Sequence, residues 1–323
     1  MTLPASLASR LRLPLIAAPM FRVSGVDLVR AACREGVIGA FPTANCRGVA
    51  ELDDWLLRLR SGLAAEADAG GQSQAPFCPN LIMRRESLHD ELQCLLRHRV
   101  ELVITSVGSP APVVAPLHDI GCTVLADVAS IRHAEKALEA GVDGLVLLSA
   151  GAGGQTGWAN GLAFVRAVRR FFDGPLVLAG GISDGQALWA ARVLGCDLAY
   201  MGTPFIATHE SLAPGAYKDM LVASRLDDVM LTSAFTGLPT SMLRPSIVAQ
   251  GLDPDDLPDH LSAHQAAALY GGRASTDGPR RWTDLWSAGH SVSGVDRVCS
   301  VAERVQRIAD DYAAARAASR HLA

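Results

Sequence analysis

Apolar residues gather in eight short continuous runs, each followed by a stretch in which apolar and polar positions recur with helical spacing. The runs are LPLIAAPM (13–20), VIGAFP (37–42), APFCPNLIM (75–83), VELVITSV (100–107), CTVLADV (122–128), GLVLLSA (144–150), PLVLAGGI (175–182) and DLAYMGTPF (197–205). Continuous rather than alternating apolar character marks strands buried on both faces, the habit of parallel sheets covered by helices. The intervening patterns carry helix punctuation. VDLVRAACREG opens after Ser24, a predicted N-cap, and closes at Gly36; SIRHAEKALEAG opens at Ser130 and closes at Gly141; DGQALWAARVLG closes at Gly195. A polar cap at the start satisfies free N–H groups, and glycine at the end tolerates the left-handed turn that stops a helix.

Successive runs start mostly about 22–31 residues apart, the size of one βα unit. Eight such units predict an α/β fold, a (β/α)8 TIM barrel with a smaller helical and loop insertion after strand 8. A doubly wound sheet is the runner-up, but it more often has fewer strands and an early GxGxxG turn, which is missing here. The longer second unit contains GLAAEADAGGQSQ (62–74), predicted as a surface loop. After Phe205 the rhythm changes to helical pieces, several prolines and the polar stretch GGRASTDGPRR (271–281). The expected organisation is therefore a barrel from 1–205 and 295–323, with 206–294 as an insertion covering the barrel mouth. The tail 295–320 reads as a long amphipathic helix packed back on the barrel.

Composition narrows the class. Of 323 residues 49% are hydrophobic but only 5% aromatic, so the core is built of Ala, Val, Leu and Ile. The net charge of −4, with arginines spread along helices, leaves no basic stripe and argues against a nucleic-acid partner. Seven cysteines form no CxxC pair and no Cys/His metal spacing; they read as reduced, buried thiols of a cytoplasmic protein, and no metal site is expected. Arg10 and Arg12 interrupt any signal-peptide core, and no apolar window is long enough for a membrane span.

In such barrels chemistry sits at the C-terminal strand ends. Here the sixth run leads into Ala150-Gly151-Ala152-Gly153-Gly154-Gln155-Thr156-Gly157, the seventh ends in Gly180-Gly181-Ile182-Ser183, and the eighth in Met201-Gly202-Thr203. Glycines let backbone N–H groups approach an anion, and following helix N-termini favour negative charge, so three such loops in succession point to phosphate binding over mere chain turning.

With Ala17-Ala18-Pro19-Met20 after the first strand, Asn80 at the end of the third, and the later segments FTGLPTSMLRPSIVAQGLDP and WTDLWSAGHSVSGVD, the order of motifs over nearly the whole chain resembles the nitronate monooxygenase family of flavin barrels. The resemblance implies FMN as cofactor, its phosphate near Gly181, Gly202 and Thr203 and its ring near Met20, Asn80, Asp127 and Gly153, with Ala18, Pro19, Ala152, Gly154, Gly180 and Met201 as further cofactor-binding residues. Asp127 either accepts from the flavin pyrimidine edge or caps the next helix.

Departures from the family pattern bear on activity. Where many relatives carry His, this chain has Gln155, an amide that can hydrogen-bond a nitronate or carbonyl oxygen but cannot act as a base; a role confined to loop structure is the alternative. A pre-formed nitronate needs no base. Pro204 stands where relatives often place Arg, and His290 is a candidate to replace the lost imidazole, against an exposed loop His. His209, just past the eighth strand, caps a helix or faces the cleft, the structural role being favoured, and His133 reads as a helix surface residue. Arg244 meets an anionic substrate group or, by preference, pairs with an Asp. Cys46 and Cys78 lack an activating base, and Trp282 with Trp286 reads as a packed helical face.

The expected activity is FMN-dependent oxidation of alkyl nitronates by O2 to a carbonyl compound and nitrite, with Gln155 and His290 as the candidate catalytic residues. Alternatives are NAD(P)H-dependent reduction of quinones or enoyl thioesters, a non-catalytic FMN carrier, and, more remotely, a flavin-free barrel acting on a phosphorylated metabolite. The partners implied are a small-molecule substrate and O2, with neither nucleic acid nor membrane; a possible homo-oligomer stays open.

Overall fold

A computed structural model describes residues 3–70, 74–258, 261–271 and 278–320, without the side chains of 66–70. All eight apolar runs become barrel strands: β1 (Leu15–Ala17), β2 (Ile38–Pro42), β3 (Phe77–Ile82), β4 (Leu102–Ser106), β5 (Thr123–Val128), β6 (Gly144–Leu148), β8 (Leu176–Ala179) and β9 (Leu198–Met201). They pair in parallel in that order, and β9 closes on β1, for example Ile16 opposite Tyr200. The expected eight-fold β/α barrel is the observed fold.

Side chains alternate across each strand, so one set fills the barrel and the other meets the helices. The inner set includes Ile16, Ile38, Cys78, Ile104, Leu125, Val146 and Val177, with Leu3 and Leu7 packed against it. The outer set is larger and takes the apolar faces of the surrounding helices, such as Leu28 and Val29 of the helix Val26–Arg34.

Helix punctuation follows the sequence with one correction. Ser130 accepts from the His133 N–H, Asp184 accepts from the Ala187 N–H, and Gly195 ends its helix left-handed at φ 111°. Ser24, however, is not a cap. The cap position is Gly25, and the Ser24 hydroxyl ties the β1 turn together, accepting from Met20 N and donating to the Ala18 carbonyl.

The stretch read as a surface loop at 62–74 is a second correction. The helix Val49–Gly70 runs through most of it, because the Ala-rich sequence carries high helix propensity; residues 71–73 lie outside those described. The polar stretch 271–281 likewise lies outside the described residues from 272 to 277.

After β9 a short helix, Thr203–Ile206, leads into the 206–294 segment. This segment is not only helices and loops. It contributes β10 (Val229–Thr232) and β11 (Thr240–Leu243), and β11 pairs antiparallel with β7 (Gly154–Gln155) from the loop after β6. The tail helix Val301–Ser319 lies against the helix Gly185–Leu194: Trp189 donates to Ser319 at 2.9 Å and meets Tyr312 edge to face. A Cβ at Gly185 would stand 2.2 Å from the Ile308 carbonyl, so glycine sets that close approach.

Candidate active site

One large cavity, about 1280 Å³, opens at the C-terminal ends of the strands. Its floor comes from the last inward-facing residues of the barrel: Asn80 of β3, Ser106 of β4, Asp127 of β5, Leu148 of β6, Ala179 of β8 and Tyr200 of β9. Among the expected cofactor residues Ala18, Pro19, Met20, Asn80, Asp127, Ala152, Gly153, Gly154, Gly180, Gly181, Gly202 and Thr203 all line it.

Met201 does not line it. It is 1% exposed and packs among the outer-layer core residues, while its carbonyl accepts from Ala18 N at 2.9 Å. The residue that faces the cavity is its neighbour Tyr200, one step away along a strand whose side chains alternate.

The floor is polar in places. Asn80 is 5% exposed and donates to the Ile104 carbonyl at 3.2 Å, and its amide and the Ser106 hydroxyl lie 3.3 Å apart. Asp127 opens toward the cavity, but its Oδ1 is buried with no partner in the protein. Burial pushes its carboxyl up to about 7, because a charge in a poorly solvated place is costly. The next helix is capped by Ser130, so Asp127 is not its cap. Burial, and then the neighbouring Asp127, also push the Tyr200 phenol well above its ordinary value.

At the rim β8 runs into Gly180 and Gly181, both with positive φ, and β9 into Gly202 at the start of the helix Thr203–Ile206. At Gly181 a Cβ would meet nothing within 4 Å, and among the described residues neither the Gly181 nor the Thr203 N–H has a protein acceptor. These donors are free to meet an anion. Three strands round the barrel, the unpartnered Asp127 oxygen offers an acceptor or, protonated, a donor. A ligand with a phosphate at one end and an imide-like polar edge at the other suits both features, which is the donor and acceptor pattern of FMN.

The loop after β6 is fixed from the far side. Gly154 N–H donates to the Ser287 hydroxyl at 2.7 Å, which donates to the Ser241 carbonyl at 2.5 Å, while Tyr217 donates to the Ser287 carbonyl and stacks on Trp286 at 5.0 Å. Gln155 pairs with Thr240 across β7 and β11, and its exposed side chain lines the cavity.

His290 goes elsewhere. Its ring lies over Gly151, where a Cβ would stand 2.5 Å from Nδ1; it is exposed and not among the cavity-lining residues. The fold therefore brings Gln155, but not His290, to the cavity. His209 is also exposed and outside the lining. Arg244 pairs with Asp255 at 2.6 Å, the reading the sequence favoured.

Cys46 and Cys78 are buried; desolvation pushes Cys46 up to about 12 and Cys78 well above its ordinary value, so neither is an activated nucleophile. Trp282 and Trp286 are a correction. They sit in irregular chain, Trp282 at φ 66°, and both face the cavity. A four-residue interval alone does not define a helix where glycines and prolines surround it.

Residues the sequence did not assign to a site are Ser106, Tyr200 and Ser287, and the cavity-lining Arg84, His133, Lys136 and Glu139, of which His133 read only as a helix surface residue. The first two follow from strand parity once the inward-facing positions are known. Ser287 depends on a contact across 133 residues that no local pattern reports.

Comparison with known proteins finds relatives over most of the chain. A carboxyl-CoA dehydrogenase of a 5-hydroxy-7a-methyl-1-oxo-octahydro-1H-indene acid from Mycobacterium tuberculosis is 26% identical over 238 residues, 73% of this chain and 64% of that relative, so the chain spans just under two thirds of its length. Nitroalkane oxidase from Streptomyces ansochromogenes superposes with a TM-score of 0.78 at 26% identity, covering 97% of this chain and 99% of that one. FabK from Thermotoga maritima shares the fold with a TM-score of 0.82 at 23% identity, over 100% and 99% of the two chains. Among the described residues no helix is long and apolar enough to cross a membrane. The family model of nitronate monooxygenase matches residues 6–311, and the chain belongs to that family of oxidoreductases.

Proposed function

We propose that the cavity holds FMN and that the enzyme oxidises alkyl nitronates with molecular oxygen to a carbonyl compound and nitrite. The observation that supports this reading is the pairing of unengaged N–H donors at Gly181 and Thr203 on the cavity rim with the unpartnered Asp127 oxygen on its floor. The flavin supplies the two-electron redox chemistry and the reaction with oxygen. The protein's part is binding and orientation. Gly181 and Thr203 hold the phosphate; Asn80 and Asp127 present polar groups to the ring; the Gln155 amide donates to a nitronate oxygen.

Gln155 cannot take a proton from carbon, so the substrate enters already deprotonated. The test is nitrite release in air from a simple alkyl nitronate by the FMN-loaded protein, run beside the neutral nitroalkane. Nitrite from the nitronate alone is expected. A yellow protein that releases no nitrite from either would refute the reading.

One observation favours a second reading. Arg84, His133 and Lys136, beside the acidic Glu139, line the cavity, and its volume of about 1280 Å³ leaves an arm beyond what a small nitronate beside a flavin requires. That arm suits a substrate with an anionic tail, as in an NAD(P)H-dependent reductase of enoyl thioesters or quinones; the Mycobacterium tuberculosis relative is named for a CoA thioester. Anaerobic bleaching of the bound flavin by NADH or NADPH separates the two readings.

A further inference from the structure

Away from the cavity, on the outer surface of the barrel, three chemically distinct side chains converge between two helices. Asp53 lies on the helix Val49–Gly70; Cys94 lies on the helix Leu88–Arg97 and His98 ends it. The spacing Cys94-x3-His98 is i,i+4, which puts both side chains on one helix face. The sequence reading counted no CxxC pair and no Cys/His metal spacing and expected no metal site, so this interval went unread. His98 Nε2 lies 2.9 Å and Cys94 Sγ 3.7 Å from the same Asp53 oxygen, and the three ligand atoms all lie within 4.8 Å of one another.

We propose that Asp53, Cys94 and His98 bind one Zn²⁺ ion, with water in the fourth position, tying the two helices together.

A thiolate, an imidazole and a carboxylate make a donor set suited to zinc, and they disfavour the hard ions calcium and magnesium, which take all-oxygen shells. The geometry is nearly in place. Tetrahedral zinc with ordinary bond lengths separates the nitrogen and oxygen ligands by about 3.3 Å and the sulfur and oxygen ligands by about 3.6 Å. The observed 2.9 and 3.7 Å are within a few tenths of an ångström of those separations. Small rotamer adjustments open the space, and the His98–Asp53 hydrogen bond gives way to two metal bonds.

Cys94 is fully buried and His98 is 8% exposed, so two of the three ligands are held by packing. The Asp53 side chain is 38% exposed, which leaves an entry path and room for the water. Arg97 stands 3.4 Å from Asp53 but is 58% exposed, so it swings into solvent when the ion arrives. The Arg60 guanidinium donates to the His98 carbonyl and holds the end of the helix in place. On binding, the Cys94 S–H bond breaks and its proton passes to solvent, the His98 Nε2 proton moves to Nδ1, the hydrated ion releases the waters that the three side chains replace, zinc–sulfur, zinc–nitrogen and zinc–oxygen bonds form, and no electron moves.

The full-length protein, washed with EDTA, is titrated with Zn²⁺ by calorimetry and then with Co²⁺ by absorbance. One Zn²⁺ per chain is expected, with a thiolate-to-cobalt charge-transfer band that Zn²⁺ abolishes. Asp53→Asn, at a partly exposed position, keeps the fold and weakens Zn²⁺ binding roughly tenfold or more. Cys94→Ser removes the cobalt band; should that variant not fold, the wild-type cobalt spectrum and Asp53→Asn still decide. Absence of saturable Zn²⁺ binding overturns the proposal, as does a cobalt spectrum without a thiolate band. Stoichiometric binding undiminished in Asp53→Asn overturns it as well, since the ion then sits elsewhere. No flavin enters these measurements, so their failure is distinct from failure of the nitronate reading.

Discussion

Gly181→Ala isolates the phosphate end of the proposed flavin site. Gly181 has φ 72° and open space where a Cβ would be, so alanine meets no protein atom but faces the cavity rim. The left-handed backbone costs an alanine about 1 kcal/mol or slightly more. Gly121 supplies a matched control: φ 79°, nothing within 4 Å of a Cβ, and a position outside the cavity lining. Both variants therefore lose similar stability, a drop in Tm of about 1.5–2 °C. Only Gly181→Ala places a methyl where the phosphate meets the backbone N–H. Losing one hydrogen bond to a charged group costs about 1.5–3 kcal/mol, which is roughly tenfold to a hundredfold in affinity. Quenching of FMN fluorescence, titrated with each apoprotein, reads this directly. If Gly181→Ala binds FMN as tightly as Gly121→Ala does, the phosphate is not at β8 and the site assignment is wrong.

The remaining predictions test other parts of the site. Asp127, raised from 3.8 to about 7 by burial, keeps a proton in the native state that the unfolded chain releases. Its contribution to stability is therefore lost as pH rises from about 4 through 7, on the order of a few kcal/mol before discounting for water in the cavity. Asp127→Asn should flatten the Tm of the flavin-free protein across that window; an unchanged slope would show the carboxyl to be solvated. Ser287→Ala leaves the Gly154 N–H and the Ser241 carbonyl without a partner and should cost about 1–3 kcal/mol, read as a lower midpoint in urea denaturation. Gln155→His should raise nitrite release from neutral nitroalkane relative to nitronate; a ratio that does not move would mean that this side chain does not reach the reacting carbon. Lys136→Glu should raise KM for an anionic-tailed substrate and leave nitronate kinetics alone, whereas an equal effect on both would remove the outer arm from substrate binding.

Much of the fold was legible because a parallel barrel writes each buried strand as a continuous apolar run, and all eight runs became strands. The same property hid the site's interior. A strand apolar on both faces does not announce which parity points inward, so Met201 was assigned to the cavity while Tyr200 faces it. Glycine loops were legible at the level of loops, because a glycine after a strand carries one meaning wherever it falls. His290 was not placed, since its position depends on the Gly289 N–H reaching Thr203 at 2.9 Å and on the His290 N–H reaching the Gly151 carbonyl, contacts that span 86 and 139 residues. The β10 and β11 hairpin was missed because its strands have four residues each and one is only half-buried, which leaves no apolar run to read.

These failures share a cause that bears on substrate choice. The strand ends carry glycines and small polar residues, and on the proposed reading their chemistry would serve any phosphorylated flavin. The wall that distinguishes one substrate from another comes from Leu238, Pro239, Trp282 and Trp286, delivered by the segment after β9. That wall is coupled to the loop after β6 through the β7–β11 pairing and the Ser287 hydroxyl. Gln155 is therefore presented by a small sheet rather than by a barrel strand. A substitution within that sheet moves the substrate-facing amide while leaving the anion-binding rim on β8 and β9 in place. Flavin affinity should accordingly respond more to Gly181 variants and substrate preference more to variants of Pro239 or Ser287, because the two functions rest on different elements, tied to each other through the hydrogen bond from the Gly289 N–H to the Thr203 hydroxyl.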